Sequence, residues 1–370
     1  MKRAYISVIN DLVTDQRVHK VANLLHDNGV EVTCIGRRYK KSPSLDHVKF
    51  RVHRFRMLFN KGPFFYACFN TRLFFKLLFV PRPALLIAND LDTLAASYLA
   101  ARIRGVKLIY DSHEFFTQVP ELINRKRIQS IWKWTEHRIL PHLEHAVTVS
   151  YSIAEIYRRL HGTRFRVVRN MSVRRTPPEN REVKKSGEKQ VIIYQGALNV
   201  GRGLELMIDT MKFIDNAVLV IAGTGDVEKE LHQRVLDAGL SDRVIFKGRM
   251  APEDLYPLTW SADIGVSLEE DLGLNYRYAL PNKLFDYVQC RVPVLCSNLP
   301  EMAKVVETYG IGVVVRNREP ERLAKTIRFM LAERAEGAWM EALEIAAGKL
   351  CWENESKEYL ALLTDCGIVT

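Results

Sequence analysis

Several stretches of the sequence set charged and amide side chains where a short apolar run gives way to a helical pattern. Residues Ala279–Ser297 read ALPNKLFDYVQCRVPVLCS. Pro281 suits the first turn of a helix, where its missing N–H costs nothing. The free N–H groups there favour an anion, helped by the helix dipole. Leu280, Pro281, Asn282 and Leu284 surround that mouth, Lys283 adds a full positive charge, and a diphosphate is a natural occupant. Asp286, one turn further in, is a carboxylate able to accept two hydrogen bonds from a vicinal diol such as a ribose. The same spacing equally fits a lysine on a solvated helix face with an aspartate favoured by the dipole.

Three further stretches have the form of a strand followed by a glycine-bearing turn. YQGALNVGRGLELMI carries Gly196, Gly201 and Gly203 around Arg202. Glycines there let a backbone approach phosphate, and the guanidinium offers a bidentate fork. IAGTGD carries Gly223, and FKGR carries Gly248 and Arg249; ordinary turn chemistry explains these equally well. In the first half, YDSHEFF sets Asp111, His113 and Glu114 just past a strand end, a place where polar residues tend to serve function. ANDLDTL places Asp90 and Asp92 in an acid-any-acid triplet, but a helix start makes Asn89 or Asp90 an N-cap before it makes a metal ligand. No metal site and no cofactor are expected. The stretch Phe50–Val80 interleaves cations with aromatics, a composition suited to a membrane interface. The alternative reading there is a buried helix over Phe64–Phe79 with basic flanks.

The elements that must position these residues alternate. Ala4–Ile9, Val30–Ile35, Leu85–Ala88, Val106–Tyr110 and Ala146–Val149 read as short buried strands with helical patterns after them. The polar segment around TPPENREVKKSGEKQ breaks the rhythm and reads as a linker, placed at residues 173–189. The alternation then restarts with Val191–Tyr194, Ala217–Ala222, Arg243–Phe246, Asp263–Ser267, Pro293–Ser297 and Gly312–Val315. This pattern predicts an α/β fold of two doubly wound parallel-sheet domains, at 1–172 and 190–351, whose strand ends are the place to look for ligands.

The 370 residues suit two domains. No signal peptide and no apolar run of membrane-spanning length stand out. Six cysteines without C-x-x-C pairs point to reduced thiols and a cytoplasmic setting. The net charge of +11 is lopsided: residues 1–175 hold 31 Lys/Arg against 13 Asp/Glu, and the remainder is acidic. A basic half suggests an anionic partner.

Taken together, NDLVTDQRVHKVANLL, NDLDTLAASYLA, LIYDSHE, YQGALNVGRGLELMI, VLVIAGTGD, VIFKGRM, PNKLFDYVQCRVPVLCS and CWENESKEYL resemble glycosyltransferase family 4, in the subset with a P-N-K-L-F motif, over nearly the whole chain. The resemblance implies the GT-B fold: two Rossmann-like domains facing a central cleft, with a last helix in the 352–370 region returning to the first. It also implies transfer of a sugar from a nucleotide-diphosphate donor with retention at the anomeric carbon. Carried onto this chain, it places His113 near the sugar and β-phosphate, Arg202 on the diphosphate, the backbone around Leu280 to Leu284 over the phosphates, and Asp286 on the ribose; Lys283, read from its place at the helix mouth, is expected to join Arg202 there. Asp15, Arg17, Asp90 and Glu114 fall on the acceptor side. Where many members carry a first glutamate this chain has Tyr278; Ala197 replaces an arginine and Arg291 a glycine. The function expected is a retaining transferase using a UDP- or GDP-sugar and a glycan or lipid-linked glycan acceptor in cell-surface polysaccharide synthesis. It would be peripheral on the inner membrane face and would not act on nucleic acid. A nucleotide-sugar 2-epimerase using Asp111 and Glu114, or a non-catalytic partner on the same fold, are the alternatives.

Overall fold

The computed structural model describes residues 1–13, 15–123, 125–178 and 189–369. Most of the expected linker at 173–189 therefore lies outside the described residues. The chain divides into two compact units, Met1–Arg169 with Ser356–Thr370, and Asn170–Glu355.

The first unit holds a seven-stranded sheet in the order β3-β2-β1-β4-β5-β6-β7. Its strands are β1 (Arg3–Ser7), β2 (Glu31–Arg38), β3 (Arg51–Arg56), β4 (Leu85–Asn89), β5 (Lys107–Ser112), β6 (His145–Thr148) and β7 (Arg166–Val167). The second unit holds a six-stranded sheet in the order β10-β9-β8-β11-β12-β13. Its strands are β8 (Gln190–Gln195), β9 (Ala217–Ala222), β10 (Val244–Gly248), β11 (Ile264–Ser267), β12 (Val294–Ser297) and β13 (Gly312–Val315). Every pairing is parallel. The cause is legible in the strands: LLIAN of β4 is buried throughout, as are the last five residues of AVLVIA in β9 apart from one partly covered valine. Such runs need helices on both faces, which parallel crossovers supply.

In each sheet the order reverses next to the first strand, between β1 and β4 and between β8 and β11. Loops leaving those neighbouring strands diverge and leave a crevice at their carboxyl ends. The expected strands are all present, within a few residues of their ends. Two were not expected: β3, spelled RVHRFR, and the two-residue β7. Both are edge strands. Edges tolerate cations and need no continuous apolar run, so the signal that reveals inner strands is missing there.

Two glycines hold the second unit's loops together by having no side chain. A Cβ on Gly223 would meet the Gly196 carbonyl oxygen at 1.8 Å, and one on Gly203 would meet that of Leu268 at 2.1 Å. Arg291 stands at φ 54°, in the region glycine favours. Its guanidinium compensates by binding the Glu344 carboxylate at 2.8 and 2.9 Å and the carbonyls of Arg175 and Gln289.

Candidate active site

In the second unit several charged and amide side chains gather at the reversal point. Gln195 ends β8, Ser267 ends β11, and the helix Asn282–Gln289 opens beside them. Pro281 is the N-cap of that helix and not its first residue. The solvated-face reading of Lys283 and Asp286 fails: each is 7% exposed. Lys283 Nζ donates to Glu269 Oε1 at 2.8 Å and stands 4.1 Å from the centre of the Tyr194 ring. Arg202 brings its Nη1 to 3.6 Å from the same oxygen, with its guanidinium carbon 4.8 Å from the Tyr276 ring centre. Ser267 Oγ donates to the other oxygen, Oε2, at 2.7 Å. Burial pushes the Glu269 carboxyl up, but Lys283 and Arg202 outweigh it and hold the group below the usual carboxylate range. Two cations thus meet on one carboxylate at the end of a parallel sheet.

Glu269 was not among the residues expected from the sequence. The only signal was an acid two positions past a strand end, in an acidic turn. Arg318 was missed as well: it donates to Ser297 Oγ at 2.7 Å and to the Leu268 carbonyl at 3.1 Å, pinning the loop that presents Glu269.

The expected glycines divide. Gly196 lies against Lys283, whose Cε would be 3.5 Å from an added Cβ. The amides of Gly196 and Gly223 are donated to the carbonyls of Ala222 and Gly248, so these glycines serve by close packing of loops. Gly201 and Gly203 flank Arg202 at positive φ. Gly248 and Arg249 sit at the exit of edge strand β10, with Arg249 exposed. Leu280 and Leu284 are core residues under the helix mouth, and Asn282 is the first helical residue. Asp286 accepts hydrogen bonds from Gln195 at 2.8 Å, from Tyr256 at 3.2 Å and from Ser172. Its carboxylate is therefore held by three side chains of its own unit.

The first unit gathers a second cluster at the ends of β4 and β5. Asp90 occupies the N-cap position of the helix Leu91–Arg104 at φ 59°, yet its side chain makes no capping bond. It accepts instead from the His113 backbone N–H at 2.8 Å, with its other oxygen 3.4 Å from His113 Nδ1. His113 Nε2 is 3.1 Å from Asn89 Oδ1. Burial pushes the Asp90 carboxyl up, against the pull of His113. Asp15 caps the helix Gln16–Asp27, accepting from Val18 N at 3.1 Å, and also accepts from Asn10 at 2.7 Å.

Arg17, expected on the acceptor side, is 2% exposed. It donates twice to Asp111 Oδ1, at 3.0 and 2.7 Å, and once to the Val168 carbonyl at 2.7 Å. It touches no open surface and can serve the site only through Asp111, which is 3.8 Å from His113 Nε2. Glu114 is half-buried, next to His113. Among the described residues no group of three His, Cys, Asp or Glu side chains is placed to hold a metal ion, and no helix is long and apolar enough to cross a membrane.

Comparison with known proteins follows this division. The profile "Glycosyltransferase Family 4" matches residues 15–171, and "Glycosyl transferases group 1" matches residues 176–342. An uncharacterized glycosyltransferase of Methanocaldococcus jannaschii is 25% identical over 178 residues, 46% of this chain and 44% of that protein. A GDP-mannose-dependent alpha-(1-6)-phosphatidylinositol monomannoside mannosyltransferase of Mycobacterium tuberculosis is 25% identical over 169 residues, 42% of each chain. The chain thus spans less than half the length of these curated relatives. Among solved structures, sucrose-phosphate synthase from Thermosynechococcus elongatus superimposes with a TM-score of 0.81 at 17% identity, over 99% of both chains. Anabaena HepE in complex with UDP-glucose gives 0.72 at 15% identity, over 99% of this chain and 100% of that one. With one profile on each sheet and the fold matched end to end, the chain belongs to glycosyltransferase family 4 and has the GT-B fold.

Proposed function

We propose that the protein is a retaining glycosyltransferase that moves a sugar from a UDP- or GDP-linked donor to a glycan or lipid-linked glycan acceptor, in cell-surface polysaccharide synthesis at the inner membrane face. The observation that carries this reading is the convergence of Lys283 and Arg202 on Glu269 at the reversal point of the second sheet. Two cations gathered at a strand-order reversal suit an anionic ligand, which in such folds enters there. The curated mannosyltransferase relative is GDP-mannose-dependent, and the HepE structure holds UDP-glucose; both support a nucleotide-sugar donor.

In this reading the anomeric C–O bond to the diphosphate breaks and a new C–O bond forms to the acceptor hydroxyl. The hydroxyl proton passes to a phosphate oxygen of the leaving group. Arg202 and Lys283, fixed before the reaction, stabilise the charge growing on that oxygen, and no metal is called on. His113, held by Asp90 and Asn89, orients the sugar. Glu269 holds the two cations in place, and Tyr278 stands where the resemblance expects a glutamate. Asp286 takes the ribose diol by exchanging one of its internal donors. The epimerase alternative loses ground because one of its two acids, Asp111, is bound to Arg17 in a buried pair.

A thermal-shift panel with UDP, GDP, ADP and their sugars tests the donor. A ligand at about 100 times its dissociation constant adds about 2.7 kcal/mol, and one of the uridine or guanosine compounds is expected to do so. No shift with any nucleotide diphosphate would end the proposal.

A further inference from the structure

The helix Pro63–Phe79 is apolar on two opposite sides. Phe65, Phe69, Leu73 and Leu77 are buried and form its inward ridge. On a wheel of 3.6 residues per turn, Phe64, Phe75 and Phe79 fall within about 60° of one another on the far side. They are 74%, 52% and 82% exposed. At the amino end of the helix, Phe59 packs against Phe64 with ring centres 5.8 Å apart, and Leu58 beside it is 87% exposed. Nothing in the first unit's core asks for these side chains. A soluble surface helix presents polar residues on that side.

The charge around this line has one sign. From His47 to Asn89 the sequence holds eight Lys/Arg and no Asp/Glu. Lys61 and Arg82 are exposed just beyond the two ends of the helix, Arg72 is exposed on it, and Lys76 is half-buried on it. Self-association of this face about a two-fold axis would bring those cations against their own copies, which argues against a second copy of the chain. An anionic bilayer suits both features. Its surface potential attracts the cations, and an interfacial helix buries its apolar side about 5–10 Å into the headgroup boundary. At 17 residues the helix is about 25 Å long, enough to lie flat with a phenylalanine at each end.

We propose that the outward line of Pro63–Phe79, with the Leu58–Phe59 tip, is an interfacial helix by which the first unit lies on an anionic lipid surface. This deepens the membrane contact of the proposed function and rests on that reading for its biological setting alone.

Cys68 gives a readout that needs no substitution. It falls on the same outward line and is partly exposed, whereas Cys34, Cys290, Cys296, Cys351 and Cys366 are buried. Burial also pushes the Cys34 and Cys296 thiols up, away from the reactive thiolate. Alkylation of the folded protein therefore reports chiefly on Cys68.

The experiment pellets the whole chain with vesicles of phosphatidylcholine alone and of equimolar phosphatidylcholine and phosphatidylglycerol, and follows Cys68 alkylation in parallel. Binding to the anionic vesicles only, weakened by salt, is expected, with Cys68 alkylation slowed severalfold on the vesicles. Combined Phe64→Ser, Phe75→Ser and Phe79→Ser is expected to lower vesicle partition by about tenfold or more. A thermal melt matching the parent's checks that the variant is folded. Any of four results overturns the proposal: no pelleting, equal pelleting on neutral vesicles, a folded triple variant that pellets like the parent, or Cys68 alkylated at an unchanged rate on vesicles. Protection of Cys68 by an oligonucleotide but not by vesicles would assign the face to nucleic acid instead. Vesicle binding is read without donor and donor binding without vesicles, so either reading can fail while the other stands.

Discussion

Glu269 shows what a single side chain can hide. It is 1% exposed, and its neighbours Lys283 and Arg202 differ in cover, with side chains 8% and 24% exposed. Glu269→Gln leaves a buried ammonium without its counter-charge. Breaking such a pair costs about 3–5 kcal/mol, and the partial exposure of Arg202 favours the low end. Urea unfolding without ligand is expected to show that loss. Pyrophosphate is expected to stabilise the variant more than the parent, because it replaces the missing negative charge; equal stabilisation of both would contradict the assignment. Lys283 was legible in the sequence because a proline, an amide and a cation announce a helix start. Glu269 was not, since an acid after a strand is as often a solvated turn, and only the fold brings position 283 onto it.

Arg17 teaches the converse, for a polar residue near a loop read as acceptor-facing and the structure spends it on Asp111. Arg17→Met alone is expected to cost about 3–5 kcal/mol by stranding the Asp111 carboxylate. Arg17→Met with Asp111→Leu is expected to recover most of it, since apolar replacement of a whole buried pair is often close to neutral. Urea titrations of the two variants decide; a double variant as unstable as the single one would show that the pair is not the unit of the effect.

At the scale of elements, the start of the helix Leu91–Arg104 departs from what its sequence suggested. An acid at position 90 reads as an N-cap, and the residue does stand there, but its carboxylate turns to His113. Helix-start patterns say where a residue sits and not which way its side chain turns. Two residues on, burial followed by the nearby Asp90 and Glu114 carboxylates pushes Asp92 well above the usual range. The unfolded chain gives up this proton near pH ~4 and the folded chain only at higher pH. Over that window the folded state binds more protons, so the Asp92 contribution to stability falls as pH rises. Asp92→Asn keeps the shape without the titration. It is expected to gain on the parent as pH is raised from about 4, by at most ~1.4 kcal/mol per pH unit, and to show no growing advantage below that. Unfolding titrations between acid and neutral pH check it; a constant difference would contradict the shift.

At the scale of the molecule, the two-sheet plan was readable because inner parallel strands are continuous apolar runs and the break between them is polar. The order of the strands was not readable from the runs, because an apolar run says that a strand is internal and not which strands it lies between; the structure supplies it. The charge asymmetry, a count in the sequence, becomes in the structure an acid-free basic segment around an exposed apolar helix in the first unit and a cation pair on one carboxylate in the second. In the proposed function that pair, Arg202 and Lys283, holds the diphosphate of a nucleotide sugar. Isothermal titration of UDP and GDP into the parent, Arg202→Ala and Lys283→Ala tests it most directly. One nucleotide is expected to bind the parent, and each substitution to weaken it by about tenfold or more, as loss of a charge-assisted bond worth ~1.5–3 kcal/mol would. Undiminished binding in both folded variants would contradict it.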